Sequence, residues 1–186
     1  LSLADSADWD FGTADWTVDF WVRFNTVASN QGLFSINGST LGLWAYWNAS
    51  LNIVAGNFVN SADFTFSWTP SANSWYHLAF VRTGGNIRFF VNGVQTGSDF
   101  AVTQNMTGGT SGLRIGYEFS DNYFLNGWID EFRIVKGSAV WTTNFTPPAE
   151  PYQLAVTNSW EVNSTIVKGW HFFAVIFAGT GALTSD

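Results

Sequence analysis

Two apolar runs flank a Gly-Gly pair in WYHLAFVRTGGNIRFFVNGVQTG, Trp75 to Gly97, and they limit the folds open to this chain more than any other feature. Gly84 and Gly85 both tolerate positive φ, which a two-residue hairpin needs at its central positions. The spacing therefore predicts that 75–83 pairs antiparallel with 86–92. A second turn at Asn92-Gly93 then starts a further short strand over Val94 to Gly97. A strict alternation precedes this hairpin in WTVDFWVRF, residues 16–24, where Trp16, Val18, Phe20, Val22 and Phe24 share one face and Thr17, Asp19, Trp21 and Arg23 the other. That is the pattern of a half-buried strand. GLFSI, LGLWAYW, LNIVAG, FTFSW, LRIGYEF and FLNGWIDEFRIVKG are similar short runs bounded by Gly, Asn, Ser or Pro. No 12-residue window carries a 3.6-residue period; a brief helix is expected at most near SAVWTTNF. The fold class that follows is all-β, a two-sheet antiparallel sandwich of jelly-roll type in preference to a barrel.

Composition sets further limits. The 186 residues suffice for one hydrophobic core, with 18% aromatic and only 11% charged residues. Seven basic residues are scattered among 14 acidic ones for a net charge of −7, which makes nucleic acid an unsuitable partner because phosphate binding needs a positive field. The absence of cysteine removes disulfides, thiolate metal sites and a Cys nucleophile. The longest apolar run, GWHFFAVIFAG from Gly169 to Gly179, is short of the ~20 residues of a membrane span. It reads as a strand buried on both faces, so residues 154–186 are expected to be a strand extension that finds cover on a neighbouring domain or subunit, principally through 155–186. The chain opens on Leu1 rather than Met, and a piece of a longer polypeptide is expected. Its N-x-S/T sequons are attributed to an Asn-, Ser- and Thr-rich composition.

SLADSADWDFGTADWTVDFWVRF, WYHLAFVRTGGNIRFFVNG and LNGWIDEFRIVKG, in that order, resemble the laminin-G-like, concanavalin A-like lectin/glucanase jelly rolls. The resemblance spans about residues 1–150 and sets the expected domain at 1–153. It implies two antiparallel sheets of six or seven strands each. GSAVWTTNFTPPAEPY resembles the end of such domains in bacteriophage tail and fibre proteins and in large bacterial surface proteins, which implies an extracellular, virion-surface or cell-surface setting.

Because the resemblance includes glycoside hydrolases, the carboxylates need scrutiny. Retaining enzymes hold two carboxyl groups about 5–5.5 Å apart, and laminarinase-type relatives carry them on a Glu-x-Asp-x-Glu strand. No glutamate here has a carboxylate two residues away, and strand alternation is expected to send adjacent Asp130 and Glu131 to opposite faces. Asp8 and Asp10 do share that spacing, but in a turn-rich stretch that reads as solvated. No enzyme is expected. Alternation groups Asp130 with Trp128, Phe132 and Ile134, pointing inward, and Glu131 with Arg133 at the surface. A buried carboxylate must be hydrogen-bonded or bind a cation. Asp130 therefore either accepts backbone N–H groups or holds a structural Ca²⁺ with carbonyl oxygens and Asp5 or Asp8. His77 and His171 read as core or half-buried histidines.

Binding is the better expectation. Sugar recognition combines an aromatic platform with a few placed polar groups. LWAYWN offers Trp44, Tyr46, Trp47 and Asn48, and YEFSDNYFLN offers Tyr117, Asp121, Asn122 and Tyr123 with Asn126 beside them. The expected work is non-catalytic adhesion to a glycan or other cell-surface ligand. The alternative is a purely structural assembly domain.

Overall fold

The computed structural model describes residues 1–36, 42–58, 62–107, 110–118 and 122–152. Asp121, His171 and the whole extension 154–186 lie outside the described residues. In chain order the strands are β1 (Ser2–Leu3), β2 (Trp16–Phe24), β3 (Gln31–Ile36), β4 (Leu43–Asn48), β5 (Ile53–Phe58), β6 (Ala62–Ser67), β7 (Trp75–Thr83), β8 (Asn86–Val91), β9 (Val94–Gln95), β10 (Phe100–Ala101), β11 (Leu113–Ile115), β12 (Tyr117–Glu118), β13 (Tyr123–Phe124) and β14 (Gly127–Lys136). One six-stranded sheet runs β1-β11-β3-β4-β5-β6. The other runs β10-β8-β7-β2-β14, with β9 added to β8, and every pairing is antiparallel.

The alternation in β2 is met residue for residue: Trp16, Val18, Phe20, Val22 and Phe24 are all fully buried between the sheets. Rings from both sheets interdigitate there. Phe20 stacks on Phe132 at 5.3 Å, Phe34 meets Phe80 edge-on at 5.4 Å, and Phe66 stacks on Phe89 at 5.3 Å. Such offset and edge-to-face pairs let large rings fill an interlayer without voids. The Gly84-Gly85 turn has φ values of +55° and +80°, and pairs Thr83 with Asn86 as the spacing predicts.

Three features depart from the sequence expectation. The first is the expected short helix near SAVWTTNF: residues 138–152 run instead as an irregular strap across the outer face of the second sheet. The described helix is a single 3₁₀ turn, Ala7–Trp9, whose preceding Ser6 accepts the Asp8 N–H. The strap is pinned at several points. Val140 N–H donates to Thr17 Oγ1 (2.9 Å), Arg88 to the Thr142 carbonyl (2.6 Å), Gln95 N–H to Asn144 Oδ1 (2.9 Å), and Phe145 N–H to the Gly93 carbonyl (2.8 Å). Trp141 and Phe145 stack at 3.9 Å over a small apolar cluster of Ala79, Val81 and Phe90 on the sheet's outer face. Gly93 is where the two backbones touch; a Cβ there would collide with the Phe145 carbonyl.

The second departure follows from the first. The polar face of β2 is not solvated, because the strap covers it, and Thr17 and Asp19 are both fully buried.

The third is in β14. Asp130 is in register with Trp21 and Arg133 with Asp19, so three steps on β14 oppose two on β2. Glu131 takes φ of +50° at this bulge. The extra residue reverses the inside-outside phase. Ile129 packs against the core together with Phe132 and Ile134, while Trp128 and Asp130 share the outer face with Arg133. The expected inward direction of Asp130 is thus corrected, because a one-residue insertion flips every side chain after it.

Candidate functional site

The outer face of the first sheet carries the strand LWAYWN. Leu43, Ala45 and Trp47 point into the core, and Trp44, Tyr46 and Asn48 point out and are half-buried. Trp47 therefore leaves the expected binding set: it is 1% exposed and sits edge-on to Trp68 at 6.0 Å. The hairpin of β12 and β13 lies over this same face, on β3. Gly32 makes that possible, since a Cβ there would collide with the backbone of Glu118, Tyr117 and Tyr123. Ser35 adds a hydroxyl donated to the Tyr117 carbonyl at 3.2 Å. β3 is consequently buried along its whole length.

The hairpin divides the remaining expected residues. Tyr123 faces β4, its ring 5.3 Å from Tyr46, which in turn lies 6.1 Å from Trp44. Asn48 Nδ2 donates to the Tyr46 hydroxyl at 3.3 Å. Trp44, Tyr46 and Tyr123 thus form a file of half-exposed rings with an amide at one side. Tyr117 belongs to another surface: it packs on Phe124 at 5.0 Å, receives the Arg114 guanidinium over its ring at 5.2 Å, and donates its hydroxyl to Asn122 Oδ1 at 2.6 Å. A groove of about 490 Å³ lies there, lined by Leu1, Ser2, Arg114, Tyr117 and Phe124 among others. Asn126 serves the fold, accepting two hydrogen bonds from Asn25 and donating its N–H to Gln31 Oε1.

Asp130, Asp5 and Asp8 do not converge. Lys136, six residues beyond Asp130 on β14, donates to the Ala7 carbonyl, so the Asp5–Asp8 segment sits at the opposite end of that strand. Among the described residues no group of three or more His, Asp or Glu side chains could hold a metal ion. Asp5 and Asp8 therefore do not join Asp130 in one site.

Sequence patterning missed a cluster beneath the strap. Asp19 accepts two hydrogen bonds from Arg133, at 2.8 and 3.3 Å, one from His77 Nε2 at 3.1 Å, and one from the Tyr152 hydroxyl. The Arg133 guanidinium also lies 4.0 Å from the Tyr152 ring centroid and 5.0 Å from that of Trp141. Burial, then the neighbouring charge of Asp19 and the hydrogen bond to it, push the Tyr152 phenol well above its ordinary value of 10.0. The expected surface pair of Glu131 with Arg133 is corrected as well: Arg133 turns to Asp19, and Glu131 accepts the Tyr152 N–H at 2.8 Å. Alternation puts Asp19 and Arg133 on the non-core faces of β2 and β14, but only the register between the strands places them together.

Over residues 1–143 the sequence matches Laminin_G_3, the concanavalin A-like lectin/glucanases superfamily. The chain belongs to that family. Solved structures share the laminin-G-like sandwich. A Bacteroides ovatus protein assigned to carbohydrate binding is 16% identical with a TM-score of 0.53, over 73% of this chain and 39% of its own. Domain 4 of the extracellular GH43 arabinanase AbnA of Geobacillus stearothermophilus, solved with arabinotriose, is 20% identical with a TM-score of 0.51, over 69% of this chain and 63% of its own. A heptameric SAP-like pentraxin from Limulus polyphemus is 14% identical with a TM-score of 0.51, over 74% and 75%. This laminin-G-like chain thus spans less than two thirds of the first of these relatives. At these identities the likeness is one of fold. No curated protein matches. No helix among the described residues is long and apolar enough to cross a membrane.

Proposed function

We propose that this laminin-G-like domain is a non-catalytic glycan-binding module of a virion or cell-surface protein, working outside the cell. The observation that carries this reading is the outward file of Trp44, Tyr46 and Tyr123 beside the Asn48 amide. Ring faces stack on the C–H faces of a sugar, and the Asn48 amide, fixed by the Ser50 and Leu51 N–H groups on its oxygen and by its bond to Tyr46, keeps a second N–H for a hydroxyl. A file of rings on a rigid sheet costs little conformational entropy when a ligand binds. The structural relative solved with arabinotriose supports the assignment. The absence of a Glu-x-Asp-x-Glu strand supports a role without turnover.

A glycan array read with the wild type, Trp44→Ala and Tyr123→Ala tests it. The expected result is retention of at least one glycan class, weakened about tenfold or more by each substitution, as truncating an aromatic anchor typically does. Both residues are only half-buried, so thermal melts should show that the variants stay folded. The reading fails if no glycan is retained, or if binding ignores both substitutions. Release of reducing ends from β-glucans would overturn the non-catalytic part.

A further inference from the structure

A second aromatic surface lies on the opposite sheet, away from the Trp44 face. The outer row formed by Trp75, Arg23 and Trp128 crosses β7, β2 and β14 in register, and its two tryptophans are 45% and 60% exposed. Large exposed rings of this kind on a rigid sheet mark a contact surface more often than chance. The next row holds Trp21 beside Asp130. Between Trp21, Trp75, the bulge of β14 and the strap residues Pro148 to Pro151 opens a groove of about 480 Å³, within the size range of small-ligand sites. Its remaining lining is Asp130, Glu131, Ala149 and Glu150.

Two devices build this groove. The bulge at Glu131 turns two adjacent acids, which plain alternation would have separated, onto one lining. The strap, locked by Tyr152 to Asp19 and Glu131, supplies the far wall with its prolines. Asp130 Oδ1 accepts the Glu131 N–H at 2.9 Å and Glu131 Oε2 the Tyr152 N–H at 2.8 Å, so both carboxylates are held in place by backbone.

The charge of the lining selects the ligand. Among the described residues three carboxylates and no basic side chain line the groove. Arg23 is held elsewhere by Asn73 and Asn25, and Arg133 is engaged by Asp19. Anionic saccharides are repelled. A cationic amine is attracted both by the carboxylates and by the faces of tryptophan, while the C–H face of a pyranose stacks on the same rings. We propose that this groove is a second binding site, for a saccharide unit that bears a free amine.

The test titrates the 186-residue chain with a trimer of glucosamine, following tryptophan fluorescence and heat, with the N-acetylated trimer as the uncharged control and trilysine as the charged one. The glucosamine trimer should bind, at least about tenfold more tightly than either control. Trp75→Ala and Glu150→Gln, both at exposed positions, should each weaken it about tenfold, and added salt should weaken it further. Trp44→Ala should leave it unchanged, which separates this site from the one proposed above. Equal binding of the acetylated trimer would show that charge is not read. Equal binding of trilysine would show that the sugar is not read. Either outcome, or binding that survives Trp75→Ala, or no binding at millimolar ligand, overturns the proposal.

Discussion

Replacing Asp19 by asparagine tests the reasoning about the strap most directly. The substitution is nearly isosteric and leaves no cavity, so its cost is electrostatic. Asp19 is fully buried and the Arg133 side chain is only 13% exposed, which leaves a guanidinium with little water to replace the lost carboxylate. Removing one partner of a buried ion pair costs about 3–5 kcal/mol. For a domain of this length each kcal/mol shifts Tm by about 2–4 °C, so a drop of roughly 6–20 °C is expected. The amide also turns donors toward His77 and the Tyr152 hydroxyl, which now donate into the same space. The strap should loosen, and hydrogen exchange over 138–152 should accelerate more than exchange in the β7–β8 hairpin. Urea unfolding followed by circular dichroism gives the global cost, and exchange mass spectrometry the local one. A loss below about 1 kcal/mol, the range of exposed ion pairs, together with unchanged exchange in the strap, would refute the claim that this network is buried and holds the strap down.

Two further outcomes follow from the same structure. The folded state keeps the Tyr152 proton that the unfolded state releases above pH 10, so this contribution is complete below pH 10 and declines as pH rises beyond it. Its slope is at most about 1.4 kcal/mol per pH unit, and less because the ring is only half-buried. Tyr152→Phe should flatten that alkaline limb in urea titrations at pH 9 to 11 while costing about 1.5–3 kcal/mol at neutral pH for the lost hydrogen bond to a carboxylate; an unchanged limb would place the phenol in solvent. Gly32→Ala should push the β12–β13 hairpin off the sheet, because the atoms in the way are backbone and cannot rotate aside. Glycan binding through Tyr123 should fall together with hydrogen-exchange protection of β12 and β13, and retention of both would show that the hairpin does not depend on that close approach.

Much of the architecture is legible in local pattern. The alternation of Trp16 to Phe24 gives β2 and its inner face, and Gly84-Gly85 gives the hairpin and its register, because side-chain period and turn chemistry are properties of neighbouring residues. The aromatic file is partly legible for the same reason. Trp44, Tyr46 and Asn48 share a face of β4 by alternation alone, and Trp47 is excluded by that same rule, although its polar-rich neighbourhood invites inclusion. The partnership with Tyr123 is a different matter, since it depends on a hairpin folding over β3 at Gly32.

The adjacent acids show where local reading stops. Nothing in GWIDEFRIVKG announces a bulge; the extra residue emerges only when β14 is laid against β2, as the mismatch between Asp130 opposite Trp21 and Arg133 opposite Asp19. That mismatch turns Asp130 outward, puts Glu131 on the same groove, and frees Arg133 for Asp19. The burial of Asp19 likewise belongs to tertiary structure, because it depends on a strap more than a hundred residues away in sequence. The sequence by itself determined the long strands, the inner face of β2 and the tight turns, through short-range sterics and hydrophobic periodicity. Pairing between distant strands decided which polar groups are buried together and which aromatic rings stand side by side, because register and covering segments are set by contacts that no short window contains.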